Sequence, residues 1–499
     1  MASGRRRFAS SAVKPLRVTF IASEAVPFAK TGGLGDVAGS LPQALAAAGL
    51  DVRLLIPKYA SIPAHLRERF ELQVAFTTKL SWRNAYVGVE RMEHDGVSVF
   101  AIDNEYYFKR GQLYGEFDDG ERFAYFAKAA CEAMAQLDDL ACDVVVCNDW
   151  QSALVPVYLR SCYPDLAQVK TVLAVHNVKF QGQYGESVLG DVLGLAEYPQ
   201  AASALRIDEH AVNFMKAGLL FADAIVTVSP TYAKEIQYDF FGEGLDWLFR
   251  MRSDDVYGIL NGIDTKSWDP QADPAIIAAY SVEDRTGKAL CKRALQHECG
   301  LPEDDGVPLI AMVGRLTAQK GLDLVAEAHE RIVSTKAQLV VLGTGEARFE
   351  ELFAWLERTF PQQVRAFIAF DVALSRRIYA GADLFLMPSE FEPCGLSQMI
   401  AMRYGALPIV RETGGLSDTV VGYRGDLAGC PNGFSFPHIV ADQLAEEVER
   451  ACAVYRDEPG AFDRMVTCAM RGDFGWDQAA MRYRALFEKL VGSDAKALG

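Results

Sequence analysis

Several things are missing from this chain of 499 residues, and each absence removes a class of function. Its ten cysteines (131, 142, 147, 162, 291, 299, 394, 430, 452 and 468) include no Cys-x-x-Cys spacing. Neither a zinc site nor a dithiol redox motif is therefore written here, and the cysteines read as reduced cytosolic thiols. No Asp-x-Asp pair occurs, a pairing that can clamp a divalent cation against a diphosphate, so no metal and no cofactor are expected. No run reaches the ~18–20 apolar residues needed to cross a bilayer. No apolar core follows the basic start Met1-Ala2-Ser3-Gly4-Arg5-Arg6-Arg7, as a secretory signal requires, so the start reads as a frayed tail and the chain as cytoplasmic. Excess positive charge is also absent: 50 Lys and Arg stand against 66 Asp and Glu, a net −16. Polyphosphate backbones and anionic membranes are repelled by such a chain, whereas a neutral polymer is not. The seven histidines are isolated, and a histidine without a partner is more often structural than catalytic; His176 stands apart only by its strand-end position.

What is present is a soluble globular balance, 50% hydrophobic and 23% charged, in a chain long enough for about two to four domains. Short β-branched runs alternate with helical stretches, the pattern of a parallel sheet wrapped by helices. Strands are expected at 16–22, 52–56, 97–102, 144–147, 171–175 and 225–228, with a helix over 36–48 that stops at Gly49. Polar residues close three of these strands: Asn148-Asp149, His176-Asn177 and Ser229. Strand ends of this kind are where ligands bind in an open parallel α/β sheet. The pattern restarts with strands at 309–313, 339–342, 366–370, 384–387 and 407–410. Two doubly wound α/β domains are expected, 1–257 and 258–474, with a closing helix in 475–499. The boundary is placed near Tyr257 to Asn261, where the turn Asn261-Gly262-Ile263-Asp264 begins, and the closing helix is expected to pack back on the first domain.

Three motifs carry chemistry. Lys30-Thr31-Gly32-Gly33-Leu34-Gly35-Asp36 is a glycine-rich loop between strand and helix, where backbone can approach a diphosphate and a helix start offers free N–H groups. Its spacing is neither Gly-x-Gly-x-x-Gly nor a Walker loop, and by itself it is equally a tight turn. Gly314-Arg315-Leu316-Thr317-Ala318-Gln319-Lys320-Gly321 sets two cations after another strand, suited to a departing diphosphate or, read blandly, to a solvated surface. Pro388-Ser389-Glu390-Phe391-Glu392-Pro393-Cys394-Gly395-Leu396 puts a carboxylate at a strand end, and Thr413-Gly414-Gly415-Leu416 follows the next strand with glycine N–H groups that can meet phosphate. Cys394 has no histidine near it in sequence and reads as a small hydrophobe rather than a nucleophile.

Taken in order, these motifs with Asn148-Asp149-Trp150, His176-Asn177, Asn261-Gly262-Ile263-Asp264 and Lys320-Gly321-Leu322-Asp323 resemble the bacterial glycogen synthase and plant starch synthase family over residues 16–490. The resemblance implies a retaining glucosyltransferase of the two-Rossmann (GT-B) type. Such an enzyme moves glucose from ADP-glucose to the non-reducing end of glycogen or another α-1,4-glucan, releases ADP and needs no metal. It also implies roles for residues. Glu392, His176, Lys320 and Arg315 are catalytic: Arg315 and Lys320 neutralise ADP and Glu392 sits beside the glucose. Lys30, Gly32, Gly33 and Asp36 belong to the donor loop. Asp149, with His176, holds the sugar, and Asn177 and Asn261 lie close. Phe370 stacks on adenine, and Cys394, Gly395, Leu396, Thr413, Gly414 and Gly415 complete the substrate-binding set.

Two departures stand out. The glucan-contacting loop that often reads Phe/Tyr-Asp-Arg-Pro is Phe108-Lys109-Arg110-Gly111, and Ile400 stands where many related transferases carry a second glutamate. Other glycogen synthases lack that glutamate too. Rival readings are a sucrose-type synthase, a trehalose-phosphate-type transferase, a sugar-nucleotide epimerase, a non-catalytic glucan-binding scaffold and a nicotinamide oxidoreductase. Intact Lys30, Arg315, Lys320 and Glu392 argue against a dead scaffold, and the glycine spacing argues against the oxidoreductase.

Overall fold

Runs such as Val144-Val145-Val146-Cys147 become fully buried strands because a parallel sheet has helices on both faces. The computed structural model describes residues 14–497; the basic start, residues 1–7, lies outside them. In chain order the first half contributes β1 (Arg17–Ile21), β2 (Asp51–Pro57), β3 (Glu71–Leu80), β4 (Arg83–His94), β5 (Val97–Asp103), β6 (Val144–Asn148) and β7 (Lys170–Val175). A small antiparallel pair follows, β8 (Gln183–Gly185) and β9 (Ala211–Asn213), then β10 (Ala224–Thr227) and β11 (Val256–Gly258). Apart from that pair, these strands form one sheet of nine in the order β11-β10-β7-β6-β1-β2-β5-β4-β3. The second half contributes β12 (Leu309–Val313), β13 (Gln338–Leu342), β14 (Val364–Phe367), β15 (Leu384–Met387), β16 (Leu407–Arg411) and β17 (Phe434–Phe436), an all-parallel sheet in the order β14-β13-β12-β15-β16-β17.

Strand order decides where ligands can go. Successive connections leave β1 to one side through β2 and return on the other side at β6, so a crevice opens at the carboxyl ends of β1 and β6. The second sheet reverses in the same way between β12 and β15. The loops carrying Lys30, Asp149, Arg315 and Glu392 all follow these four strands.

Three expectations need correction. The β3–β4 hairpin is absent from the strands expected above, because it pairs antiparallel at the sheet edge with one side in water and its residues, Glu71-Leu72-Gln73 onward, carry no continuous apolar run. The strand expected at 366–370 is shifted to Val364–Phe367, which leaves Phe370 on the following loop, 86% exposed. Not all cysteines are thiols: Cys430 and Cys468 form a disulfide across 38 residues. It joins the loop before β17 to the helix Pro459–Met470, a proximity that exists only after folding.

The chain crosses between the sheets twice at one spot. Ile263 N donates to Phe474 O at 2.8 Å, and a Cβ on Gly262 would lie 2.6 Å from the Gly475 carbonyl oxygen, so only glycine lets the two crossings touch. The last helix, Asp477–Ala497, returns to the first sheet's helix Gly33–Ala47, where Arg484 Nη1 donates to Ala48 O at 2.8 Å.

Candidate active site

On the first domain, the glycine-rich loop is folded around a buried carboxylate. Glu24, at the end of the segment leaving β1, accepts Thr31 N at 2.5 Å and Thr31 Oγ1 at 2.9 Å through Oε2. Burial pushes its pKa up, and the loop N–H groups oppose that rise. Lys30 Nζ rests on Asp36 Oδ1 at 2.7 Å with both side chains partly exposed, so the lysine is held at the loop surface.

Beside it, at the ends of β6 and β7, Asn148 Nδ2 donates to the β1 carbonyl of Ile21 at 2.8 Å. That bond orients the amide so that its oxygen faces His176 Nε2 at 2.9 Å. The ring proton is thereby drawn to Nε2, leaving Nδ1 as the acceptor. Burial lowers the His176 pKa to about 4, which keeps the imidazole neutral. Asp149 has a left-handed backbone, φ 53°, uncommon for a residue with a side chain. Its Oδ1 accepts His176 N at 2.7 Å and Asn177 N at 3.5 Å. Burial raises its pKa to about 7, against these N–H groups.

On the second domain, Lys320 Nζ and Glu392 Oε2 meet at 2.5 Å, and Ser389 Oγ donates to the same oxygen at 3.0 Å. Gly321 makes this approach feasible: its φ is 69°, and a Cβ there would lie 1.9 Å from the Pro388 carbonyl oxygen. Arg315 is exposed and makes no side-chain hydrogen bond or ion pair among the described residues. Cys394 is buried, its thiol is pushed up to about 12 by desolvation, and it accepts a backbone hydrogen bond from Asn261 at the domain crossing. A thiol so protonated is no nucleophile at neutral pH. Gly395 turns with φ 71° ahead of Leu396, whose Cδ1 lies 4.0 Å from where a Cβ on Gly33 would stand, so the two glycine loops face each other across the cleft.

At Thr413, Gly414 and Gly415 the structure shows packing between loops. The N–H groups expected to face phosphate are engaged within the protein: Gly415 N donates to Glu392 O and Pro393 O, each at 3.1 Å, and Gly414 N to the Glu235 carboxylate at 3.0 Å. Cβ atoms on Gly414 and Gly415 would lie 2.0 Å from the carbonyl oxygens of Glu392 and Cys394. These glycines let one loop buttress the other.

The fold thus brings together Lys320 with Glu392, Asp149 with His176 and Asn177, Lys30 with Asp36, Asn261 with Cys394, and the 413–415 loop with the 392–394 loop. Among the described residues, Arg315 makes no side-chain hydrogen bond or ion pair, and Phe370 is exposed. Sequence reasoning missed Glu24, Ser389 as a donor, Glu235, and Tyr114, whose hydroxyl pairs with Ser23 Oγ at 2.7 Å. Ser23 and Glu24 had a signal, a polar pair just beyond β1; Tyr114 and Glu235 had none. In the departing loop, Arg110 is committed to Asp118 at 2.7 Å. No cluster of three or more His, Cys, Asp or Glu groups able to hold a metal lies among the described residues. No helix among them is long and apolar enough to cross a membrane.

Known proteins of similar sequence and structure bear on this geometry. Residues 17–251 match the family model "Starch synthase catalytic domain", and residues 298–456 match "Glycosyl transferases group 1". The glycogen synthase of Geobacillus thermodenitrificans is 47% identical over 486 residues, 97% of this chain and 99% of its own. The glycogen synthase of Bacillus cereus is 45% identical over 95% of this chain and 100% of its own. Among solved structures, the catalytic domain of starch synthase IV from Arabidopsis thaliana, bound to ADP and acarbose, superposes with a TM-score of 0.88 at 35% identity, covering 96% of this chain and 100% of that one. A sucrose-phosphate synthase from Thermosynechococcus elongatus shares the fold, with a TM-score of 0.59 at 18% identity over 96% of this chain and 100% of its own.

Proposed function

This chain belongs to the glycogen and starch synthase family, glycosyltransferases of the two-Rossmann GT-B fold, and on that premise we propose that its donor is ADP-glucose and its reaction a metal-independent, retaining transfer. The activity is that of a glycogen synthase: glucose passes from a nucleotide sugar to a glucan. The ADP bound by the Arabidopsis neighbour supports the choice of nucleotide.

One observation carries the reading. Lys320 and Glu392, 2.5 Å apart at the switch point of the second sheet, put a cation for the leaving diphosphate beside a carboxylate for an electron-poor sugar ring. Lys30 reaches the phosphates from the opposite loop, steadied by Asp36, and the glycines Gly32 and Gly33 keep that loop's surface free of side chains. Arg315, exposed and without an ion pair among the described residues, adds the second fixed charge. His176 Nδ1 and the Asp149 carboxylate accept sugar hydroxyls, Asn177 flanks them, and Phe370 offers an exposed ring to the adenine.

Retention by two displacements needs a nucleophile on the far face of the sugar. Cys394 is protonated and buried, and Asp149 is assigned to the sugar hydroxyls, so neither is taken as one. We therefore propose a same-face displacement. The C1–O bond to ADP breaks, the oxocarbenium-like ring is held by Glu392, and the acceptor 4-hydroxyl attacks while giving its proton to the departing phosphate. A nucleotide-sugar substrate supports a cytoplasmic place of work.

The test is nucleoside diphosphate release from ADP-glucose and UDP-glucose in parallel, with and without glycogen, in EDTA. Glycogen-dependent ADP release is expected despite the chelator. Preference for UDP-glucose overturns the donor assignment, and loss of activity restored by a divalent metal overturns metal independence.

A further inference from the structure

Two short helices, Pro230–Glu235 of the first domain and Gly414–Thr419 of the second, face each other across the cleft and exchange carboxylates. Asp418 accepts Thr231 N at 3.0 Å and Thr231 Oγ1 at 2.6 Å. Glu235 accepts Thr413 Oγ1 at 2.9 Å and Gly414 N at 3.1 and 3.0 Å. The charges acting on Glu235 are opposed: Arg411 attracts it and Asp418 repels it.

The two exchanges differ in what they lead to. Thr231 lies at the start of its own helix and meets the Gly414–Thr419 helix at Asp418, three residues beyond Gly415, by bonds that end there. Thr413 and Gly414 run on into Gly415, which donates to the carbonyls of Glu392 and Pro393. Arg411, the last residue of β16, reaches the same loop from behind: its Nε donates to Ser389 O at 2.8 Å and its Nη2 to Glu390 O, while Ser389 Oγ donates to the Glu392 carboxylate. A path of hydrogen bonds therefore runs from a carboxylate of the first domain to the loop that carries Glu392 in the second.

We propose that Glu235 is a positioning residue for glucosyl transfer: from the first domain it clamps Thr413-Gly414 and so seats the Glu392 loop at its working height only when the domains meet. The inference rests on Glu392 being the group beside the transferred sugar. It explains why the loop needs two consecutive glycines, since a side chain on either would push the Glu392 loop away. It also ties chemistry to closure, so that an open enzyme, accessible to water, lacks a seated carboxylate.

The test compares full-length Glu235→Ala, Glu235→Gln and Thr231→Val with the wild type. It measures glycogen-dependent diphosphate release, ADP affinity by calorimetry and the melting temperature. Glu235→Ala is expected to lose about tenfold or more in kcat, the scale of a charge-assisted hydrogen-bond pair, with the donor KM and ADP affinity within about threefold of wild type. Glu235→Gln keeps an oxygen to accept the Gly414 N–H and should recover most of that loss. Thr231→Val removes the hydroxyl bond to Asp418, at the far end of the Gly414–Thr419 helix from the Glu392 loop, and leaves the Thr231 N–H bond in place, so its kcat should stay within about threefold. The proposal is overturned if Glu235→Ala keeps wild-type kcat, if Thr231→Val loses as much, or if ADP affinity falls in step with kcat. The comparison uses whichever donor the wild type turns over, so a wrong donor assignment shows in the wild type, while the role of Glu235 is decided by the variants alone.

Discussion

Replacing Glu392 by glutamine removes one negative charge with almost no change of shape, at a carboxylate that is 7% exposed and held by Lys320 at 2.5 Å and Ser389 at 3.0 Å. In the unliganded enzyme that charge is already balanced by Lys320. On the proposed mechanism, the donor diphosphate engages Lys320, which frees the carboxylate to face the sugar and act as positive charge develops on the ring. At an effective dielectric of about 20, unit charges about 4 Å apart attract by about 4 kcal/mol. That corresponds to about a thousandfold in rate. The same substitution stops residue 392 from competing for Lys320, so ADP should bind as tightly as before or more tightly. Glu392→Gln is therefore expected to lose about three decades of kcat in glycogen-dependent ADP release while calorimetry shows an unchanged or lower Kd for ADP. A kcat within about tenfold of wild type, or ADP binding weakened about tenfold, refutes the charge-exchange reasoning.

Further outcomes are expected at three places, Asp149, Gly321 and the disulfide. Asp149 has its pKa raised by burial from 3.8 to about 7, so it holds its proton more tightly folded than unfolded; its contribution to stability is full below the unfolded value and is lost as pH rises through about 7. If ionised Asp149 accepts sugar hydroxyls, kcat/KM rises as pH increases through about 7, and Asp149→Asn abolishes that limb. His176, held near 4, contributes no limb there, and persistence of the rise in Asp149→Asn would assign it elsewhere. Gly321→Ala forces a Cβ to 1.9 Å from the Pro388 carbonyl in a left-handed turn, so both kcat and urea resistance should fall; the backbone term alone is about 1–3 kcal/mol. Thiol titration of the denatured chain without reductant should find eight free thiols, and ten after reduction. Cys468→Ser should cost about 4 kcal/mol on the chain-entropy account of a 38-residue closure, read as a lower melting temperature.

Much of the site was legible because parallel α/β sheets put their chemistry at strand ends, and strand ends can be read from where an apolar run stops. Asn148-Asp149 after Val144-Val145-Val146-Cys147, His176-Asn177 after β7 and the Glu392 loop after β15 are such places. The edge hairpin β3–β4 was not legible, since a strand with one wet face mixes Glu71, Gln73 and Lys79 with its apolar residues. Phe370 was assigned to a strand because an apolar residue following Ala366-Phe367-Ile368-Ala369 looks like its continuation, whereas only the position of β13 decides where β14 stops pairing.

By itself the sequence determined which residues are available and at which strand ends they emerge, because burial of both faces of a central parallel strand writes a continuous apolar run into the chain. Only the tertiary structure decided which of those ends meet. The Lys320 to Glu392 pair spans 72 residues, the Glu235 to Gly414 bond 179 and the disulfide 38. Contacts at such separations follow from strand order and from where two sheets face each other, and no local pattern of residues encodes them. The glycines at 414 and 415 show the division plainly: their identity suggested N–H groups open to phosphate, and the packing of two loops at van der Waals limits turned them into the seat of the loop that carries Glu392.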